Sequence, residues 1–420
     1  VKDVFDPHQT LNPGVIVRPR PVDADVRIAG LPAIRRSLGL AYAGDDGDFA
    51  AAVHRCTGVG KCRADTTAAG GVMCPSYLAT RDERDSTRGR ARVLQEMVRG
   101  SLPGGWRADE VRDVLDLCLS CKGCARDCPT GIDMASYKAE VLHQAYRGRL
   151  RPAAHYALGW LPRWAWLAAG RPRLVNRALA SPPVAAMVKR LAGMDQRRAL
   201  PTFAPTTLRR WFGGRRPATA GAEKVLLWVD TFTEYFTPEV GMAAVAVLES
   251  AGFQVQLSPP GRCCALTWIS TGQLDGARRI LGRTVGALAP QLRRGVPMVG
   301  LEPSCTAVFR SDARELLGAT EDVRVVAAGT LTLAELLARD RPQWMDAGLD
   351  GVRVLAQPHC HQHAIMGWDT DRDLLRAAGA TVRSVGGCCG LAGNFGVERG
   401  HYDVSVAIAE TALLPAVRAA

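Results

Sequence analysis

The chain has 420 residues, of which 47% are hydrophobic and 22% charged, a composition that excludes a wholly disordered chain and is typical of a globular protein with roughly two to four domains. No run of roughly 20 apolar residues is present, and Val1-Lys2-Asp3 does not begin a secretory signal, so we expect a cytoplasmic location. The net charge is +12, and residues 147–216 contribute 14 Arg and one Lys against the single acid Asp195. This basic block favours an anionic membrane surface or an acidic partner over nucleic acid, for which no motif is present.

The predicted elements divide the chain into four regions. Residues 1–50 are extended, with Pro and Gly turns. Residues 51–150 carry seven cysteines between helices predicted over 86–100 and 108–119, and residues 151–220 form a basic, Trp-rich connector of short helices broken by prolines. Residues 221–420 alternate between strands and helices, which favours α/β modules with parallel sheets. These elements are predicted over 224–229, 239–251, 253–257, 275–292, 297–301, 331–338, 352–356, 370–378, 381–385 and onward from 401.

Thirteen cysteines need an explanation in a chain of this kind. Disulfide frameworks belong to short secreted chains, the cytosol keeps thiols reduced, and an odd count argues against complete pairing. The strongest motif is Cys118-x2-Cys121-x2-Cys124-x3-Cys128-Pro129, which is the spacing of bacterial ferredoxins. It predicts an iron–sulfur cluster in preference to a zinc site, which normally uses two well-separated Cys-x2-Cys pairs.

A less regular run supplies Cys56, Cys62 and Cys74. By ferredoxin logic Cys74 completes the cluster of Cys118, Cys121 and Cys124, and Cys128 crosses over to join Cys56 and Cys62. Val59 stands where a middle ligand is expected, so this second cluster is either a [3Fe–4S] cluster or a [4Fe–4S] cluster with a ligand from elsewhere. His54 is one candidate ligand, and the alternative is a solvated helix residue. Basic side chains crowd the cysteines and either tune the clusters or form a solvated face: Arg55, Lys61, Arg63, Arg88, Arg90, Arg92, Lys122 and Arg126.

Six further cysteines follow predicted strands in Gly- and Pro-rich loops: Cys263, Cys264, Cys305, Cys360, Cys388 and Cys389. Sites in open α/β sheets form at the carboxyl ends of strands, so we expect these thiols to share a metal or redox site. The alternative is a set of buried free thiols. Four polar residues are further candidates for the same pocket: His359, His361, His363 and Asn394.

The motifs resemble those of the iron–sulfur portion of flavin-linked 2-hydroxyacid dehydrogenases, the family of the glycolate oxidase iron–sulfur subunit and of fused D-lactate and D-2-hydroxyglutarate enzymes. The resemblance rests on the Cys56–Arg63 and Met73–Tyr77 segments and on Thr87-Arg-Gly-Arg-Ala91. The fused enzymes also lack the cysteine at Val59. A second resemblance is to the cysteine-rich "CCG" module of heterodisulfide reductase, carried by Cys388-Cys389-Gly390 and two other short motifs. The first cysteine pair departs from it, because Ala265 stands where Gly is usual.

The resemblance implies a helical two-cluster ferredoxin-like domain (51–150) followed by a two-module α/β CCG domain with parallel sheets (221–340 and 341–420). Residues 1–50 are similar to the end of a flavin-oxidase domain, so the FAD-binding part is expected on a separate polypeptide or to have been lost. The implied function is electron transfer from a FAD partner through two [4Fe–4S] clusters, one of them alternatively [3Fe–4S], and through a further cluster or metal at the CCG site. The acceptor would be one such as a membrane quinone, reached at the inner face. The alternatives are a thiol–disulfide oxidoreductase component and a non-catalytic cluster-binding fragment.

Overall fold

The computed structural model describes residues 1–21, 24, 26, 30–215, 222–342 and 348–420. The predicted boundary at 220/221 lies outside these residues. The described part is a mixture of helices and parallel sheets, with a helical first part and an α/β second part. Within it, no helix is both long enough and apolar enough to cross a membrane.

The first part is built from short helices and holds seven cysteines. Its core contains an aromatic group in which the rings of Phe49 and Trp106 lie 4.9 Å apart and those of Phe49 and Tyr137 lie 5.8 Å apart. Ser86 begins the longest early helix, and its hydroxyl accepts a hydrogen bond from the Gly89 amide, as an N-cap should. The helices are α1 Lys2–Phe5, α2 Phe49–His54, α3 Pro75–Thr80, α4 Thr87–Val98, α5 Asp109–Asp116, α6 Gly123–Asp127 and α7 Met134–Ala145.

The connector consists of short helices, as predicted, but the prolines begin them rather than break them. Proline lacks the amide hydrogen that the first turn of a helix leaves unused, so it is well tolerated there. In α10 and α11 the helix starts at Pro172 and Pro182, respectively. The helices are α8 Ala153–Ala157, α9 Leu161–Ala168, α10 Pro172–Leu179, α11 Pro182–Leu191 and α12 Leu208–Gly213.

Two parallel sheets form the frame of the second part. Four strands pair in the order β2-β1-β3-β4, with Val225 opposite Val255 and Leu226 opposite Met298, and two further strands pair as β5-β6. The central strand β1 is buried along its apolar run, which is typical of a sheet covered on both faces. The strands are β1 Glu223–Trp228, β2 Phe253–Leu257, β3 Met298–Gly300, β4 Thr330–Leu331, β5 Arg353–Ala356 and β6 Thr381–Ser384.

The helices of the second part agree with the predicted ones to within about two residues at most ends, and α19 was not predicted. They are α13 Thr231–Tyr235, α14 Pro238–Ser250, α15 Leu266–Ser270, α16 Leu274–Arg293, α17 Pro303–Ala307, α18 Ala313–Leu317, α19 Glu321–Gly329, α20 Leu333–Asp340, α21 Asp369–Ala377, α22 Tyr402–Thr411 and α23 Leu413–Arg418.

The two sheets show the same local pattern after a strand. The loop after β3 carries Cys305 and continues into the π-helical turn Val308–Asp312, and the loop after β5 carries Cys360 and continues into the π-helical turn Gln362–Met366. Such turns are rare and occur mostly at functional sites. This repetition agrees with the two related halves read from the sequence.

Candidate iron–sulfur sites

Three of the predicted ligands line one small cavity near the surface: Cys56, Cys62 and Cys128. Cys56 follows α2 and Cys128 ends α6, so two helix ends and the turn Lys61–Arg63 bring these sulfurs together. Val59 also lines the cavity, and its side chain is 70% exposed. The cavity is therefore open on the side where the sequence lacks the middle cysteine.

Hydrogen-bond donors face the sulfurs of this surface group. The Arg88 amide donates to Cys62 Sγ at 3.4 Å, and Cys128 Sγ lies 3.3 Å from the Thr130 hydroxyl. Burial raises the pKa of Cys62, and the Arg88 amide and the Ser86 hydroxyl oppose that shift. Hydrogen bonds of this kind stabilise a thiolate, which is the form that binds iron.

His54 does not line this cavity. Its Nδ1 lies 2.7 Å from the Ala50 carbonyl of its own helix, so that nitrogen is engaged within α2. A role for His54 as the missing ligand stays a prediction.

Four other predicted ligands form a buried group: Cys74, Cys118, Cys121 and Cys124. Burial raises the pKa of Cys124 well above its usual range, and the neighbouring thiols Cys118 and Cys74 add to the shift. The pKa of Cys121 is raised in the same way, by burial first and then by Cys360, Cys124 and Cys118. Several buried thiolates would repel one another, so their ionised form needs positive charge nearby, which a metal cluster supplies.

Arg90 brings a fixed positive charge to this buried group. Its side chain is 1% exposed, and its Nη1 donates to Cys74 Sγ at 3.4 Å. Burial opposes ionisation of Cys74, but the Arg90 guanidinium and nearby hydroxyls outweigh it and lower the pKa of the thiol. Arg90 also donates to the Val114 carbonyl at 2.8 Å and to the Ser76 hydroxyl at 2.9 Å. The arginine therefore positions the Cys74 loop against α5.

Lys122, between two cysteines of the ferredoxin run, is a buried cation that joins the two parts of the molecule. Its Nζ lies 2.7 Å from Asp133 in the helical part and 3.0 Å from Asp312 in the α/β part. Burial opposes the lysine charge, but the two carboxylates outweigh it and raise the lysine pKa. Sequence reasoning grouped Lys122 with the solvated or tuning cations and missed this role, because its partners are distant in sequence.

Three cysteines of the second set lie against the buried group: Cys360, Cys388 and Cys389. Cys121, Cys360 and Cys388 share one buried apolar cluster with Phe395. The Gly390 amide donates to Cys388 Sγ at 3.4 Å. The half-buried Cys389 differs, because a hydrogen bond from Cys388 lowers its pKa to about 6. This second-module group therefore directly continues the ferredoxin-like cysteines.

The other three cysteines of the second set meet at the end of the first sheet. The sulfurs of Cys264 and Cys305 lie 2.9 Å apart, and the Ala265 amide donates to Cys263 Sγ at 3.3 Å. Ala265 adopts φ +66°, a conformation that favours glycine, which explains why glycine is usual there. Glu302 accepts a hydrogen bond from the Cys305 amide at 2.7 Å. These thiols form the first-module group.

The expected shared site is thus distributed over two groups, one at the end of each sheet. Glu302 lies between them, since its charge contributes to raising the pKa of both Cys305 and Cys360 after the larger effect of burial on each. The candidate ligands remain predictions in both groups.

The three histidines around Cys360 mainly make protein contacts. His361 Nε2 lies 3.1 Å from the Ser120 carbonyl, and His363 Nε2 lies 2.8 Å from Asp127. The His361 amide donates to His359 Nδ1 at 3.2 Å. His361 and His363 therefore dock the second module onto the ferredoxin run. Asn394 lines a separate cleft and hydrogen bonds to Glu398.

The donor set fits iron–sulfur clusters. Within the described residues no group of three or more His, Cys, Asp or Glu side chains is arranged to hold a single metal ion. A cluster binds each sulfur through a different iron and so separates its ligands more widely than one ion does. The thiols, the amides that donate to them and the buried guanidinium are the surroundings that such clusters use.

The comparisons with known proteins agree with this donor set. Residues 48–132 match the family model described as "4Fe-4S dicluster domain". The chain is 27% identical to D-2-hydroxyglutarate dehydrogenase of Escherichia coli (strain K12) over 98% of its length, 28% identical to one subunit of the anaerobic glycerol-3-phosphate dehydrogenase of the same organism over 56%, and 24% identical to its glycolate oxidase iron-sulfur subunit over 80%. No solved structure matches the chain at a significant level.

The share of each relative that is covered differs. The chain spans 44% of the D-2-hydroxyglutarate dehydrogenase, 60% of the glycerol-3-phosphate dehydrogenase subunit and 79% of the glycolate oxidase subunit. The chain thus carries an iron–sulfur dicluster segment and is similar to oxidoreductases or their iron–sulfur subunits.

Proposed function

We propose that this chain is the iron–sulfur electron-transfer component of a flavin-dependent 2-hydroxyacid dehydrogenase, which relays electrons from a FAD domain or subunit to an acceptor such as a quinone. In this proposal Cys56, Cys62 and Cys128 hold one cluster, [4Fe–4S] or [3Fe–4S]. Cys74, Cys118, Cys121 and Cys124 hold a [4Fe–4S] cluster. The further cysteines hold a cluster or metal at the CCG site.

The order of the thiols in space carries the proposal. Cys62 in the surface group neighbours Cys74 in the buried group, since each thiolate would raise the pKa of the other. Cys121 in the buried group packs against Cys360 and Cys388 in the second-module group. When clusters occupy these positions they carry single electrons, and the protein's task is to hold them in line and tune them. The surface, buried and second-module groups would then form a continuous route.

The surface group is the natural entry point. Its cavity is open beside Val59, and the cations Lys61 and Arg88 line it. We therefore propose that a FAD partner docks on this face with an acidic surface. The proposed domain division is 1–50 as a flavin-oxidase remnant, 51–150 as the ferredoxin-like domain, 151–220 as the connector and 221–420 as two CCG modules.

The names of the relatives support the partner. D-2-hydroxyglutarate dehydrogenase acts on a 2-hydroxyacid, and the glycolate oxidase relative is an iron–sulfur subunit. Because this chain spans less than half of the former, we propose that substrate oxidation takes place on a separate flavin-binding part.

The connector is the proposed contact with a membrane. Its helices expose Trp166 (66% exposed), Leu174 (59%) and Leu191 (70%). Apolar and Trp side chains among arginines are typical of helices that lie in the interface of an anionic bilayer. The proposal therefore places a cytoplasmic protein peripherally at the inner face, where a quinone is available as acceptor.

Electron transfer from a reduced flavin tests the proposal. Anaerobic protein is mixed with chemically reduced FMN, and the visible absorption of the clusters is followed, with ferricyanide added as acceptor. We expect reduced flavin to bleach the absorption and ferricyanide to restore it. The C121S variant should break the route between the buried and second-module groups, whereas C263S should leave bleaching of the ferredoxin-like clusters unchanged. Absorption that reduced flavin cannot bleach but dithionite can would contradict a flavin donor.

One observation favours a second candidate, a thiol–disulfide oxidoreductase component. The sulfurs of Cys264 and Cys305 are 2.9 Å apart, close enough for a redox exchange between thiols and a disulfide substrate. Reduction of a small disulfide by dithionite-charged protein, with loss of this activity in C305S, would favour it. A chain that binds clusters but exchanges electrons with neither flavin nor disulfide would be the non-catalytic fragment.

A further inference from the structure

The largest cleft of the described structure, with a volume of about 610 Å³, lies where the cysteine-bearing regions meet. α5, which leads to Cys118, forms one wall together with α7. Ser270, at the end of the helix that follows the Cys263-Cys264 pair, reaches it from the first module. Asn394 reaches it from the loop after the Cys388-Cys389 pair. No feature of the proposed electron route explains why these elements leave open space between them.

The cleft is strongly cationic. Two carboxylates, Asp116 and Glu398, lie in its wall, and both are within ion-pair distance of His401, at 3.2 Å and 3.4 Å. Six cationic side chains line the same space: Arg107, Arg112, Lys138, Arg149, Arg190 and Arg399. A concave surface with this excess of positive charge raises the local concentration of anions and stabilises negative charge that develops on a ligand.

The floor of the cleft is apolar and carries two polar groups of different kinds. Leu115, Val141 and Leu142 offer hydrocarbon surface. Lys138 Nζ lies 2.6 Å from the carbonyl of Cys118. His155 lines the cleft with a side chain that is 9% exposed, and within the described residues its Nδ1 has no hydrogen-bond partner. A buried polar atom without a partner is uncommon unless a ligand or water completes it.

We propose that this cleft is the acceptor site and that it binds an aromatic quinone. The apolar floor receives the ring, Lys138 and His155 are the donors for its carbonyl oxygens, and the surrounding arginines stabilise the negative charge that the ring gains on reduction. A carbonyl bound at Lys138 lies one side chain away from Cys118, a ligand of the proposed buried cluster. The site rests on the proposed function only for its redox role, because binding of the quinone does not require electron transfer.

The redox step balances with the groups named. Two electrons pass singly from two reduced clusters to the quinone, and two protons from the water that enters the open cleft convert its carbonyls to hydroxyls. The quinone is reduced to the hydroquinone, and each cluster is oxidised by one electron.

Anthraquinone-2-sulfonate is the probe, because its flanking rings block addition of cysteine thiols and its sulfonate adds a fixed negative charge. Binding to the anaerobic full-length chain is measured by isothermal titration calorimetry. The exposed rim residues Arg149 and Arg190 are reversed together in R149E/R190E. The matched control R283E/R294E makes the same charge change on exposed arginines of α16 and at its C-terminal end.

We expect the rim variant to weaken binding roughly tenfold at low salt and the control to weaken it much less, because screened charges act only over about a Debye length. We also expect dithionite-reduced, desalted protein to form the anthrahydroquinone, and R149E/R190E to do so more slowly at equal probe concentration. Equal affinity in the two variants would place the probe elsewhere and overturn the site. Tight, rim-dependent binding without reduction, by clusters that ferricyanide does reoxidise, would overturn the acceptor role. A chain that holds no clusters would instead defeat the proposed function, and the calorimetry would still decide the binding site.

Discussion

Replacing Lys122 by Met should destabilise the junction between the helical and α/β parts strongly. The lysine side chain is 4% exposed and forms ion pairs with Asp133 and Asp312. Methionine has a similar volume, so the change removes the charge and leaves two buried carboxylates without their cation. Breaking a buried ion pair in this way costs roughly 3–5 kcal/mol. For a folding unit of this size that corresponds to a fall in Tm of roughly 6–20 °C.

The loss should depend on pH with a definite sign. Burial raises the pKa of Asp312, and Lys122 opposes that shift, whereas at Asp133 the lysine outweighs burial and lowers the pKa. Removing the lysine raises both carboxyl pKa values above those of the unfolded chain. A carboxyl with a raised pKa in the folded state destabilises the fold at high pH, and the penalty fades as pH falls through that pKa. The Tm deficit of K122M should therefore be larger at pH 8 than at pH 5.5.

Thermal unfolding of anaerobic protein, followed by circular dichroism, measures both effects. Lys224 is exposed in the first strand and provides the control K224M, which should change stability by less than about 0.5 kcal/mol. The double variant K122M/D312N should recover part of the lost Tm at pH 8, because it removes one of the two unpaired charges. A K122M protein that melts with K224M, or whose deficit is independent of pH, would refute this account of the junction.

Three further predictions concern other parts of the molecule. Glu140 is fully buried and accepts three backbone hydrogen bonds of 2.9–3.0 Å from the preceding segment, so E140A should lose roughly 2–3 kcal/mol of unfolding free energy in denaturant titrations and the exposed E110A almost none. A Cβ on Gly390 would lie 2.2 Å from a backbone carbonyl of α22, so G390A should melt lower than G252A, whose open site isolates the cost of positive φ; equal melting would show that the loop yields. W166S should sediment less than wild type with vesicles that contain phosphatidylglycerol, and neither protein should sediment with pure phosphatidylcholine; unchanged sedimentation would remove the connector from the membrane contact.

The elements with strong local signals were predictable from the sequence. The strand at 253–257 was placed at its observed bounds, and the helix predicted over 86–100 is α4, because Ser86 supplies an N-cap that can be read locally. Helix α19 was missed because its short amphipathic stretch lies between two other helices and has weak turn signals. The prolines of the connector were read as breaks, although at the first position of a helix they are start signals.

The candidate site was predictable as chemistry but not as geometry. The spacing of Cys118, Cys121 and Cys124 indicates a cluster without any structure. The contact of Cys121 with Cys360 joins positions more than 200 residues apart, and no local pattern encodes it. The same applies to the ion pair between Lys122 and Asp312, since burial turns an ordinary lysine into a junction only once both parts have folded.

Iron and acid-labile sulfide content of anaerobically purified protein tests the central claim most directly, with EPR of the reduced state and the C128S variant measured in parallel. Two ferredoxin-like clusters predict about six to eight iron atoms and about eight sulfides per chain, more if the CCG site is loaded, with the EPR signal of one cluster lost or altered in C128S. Colourless protein that contains zinc and no sulfide, or an iron content and spectrum that C128S leaves unchanged, would contradict the account.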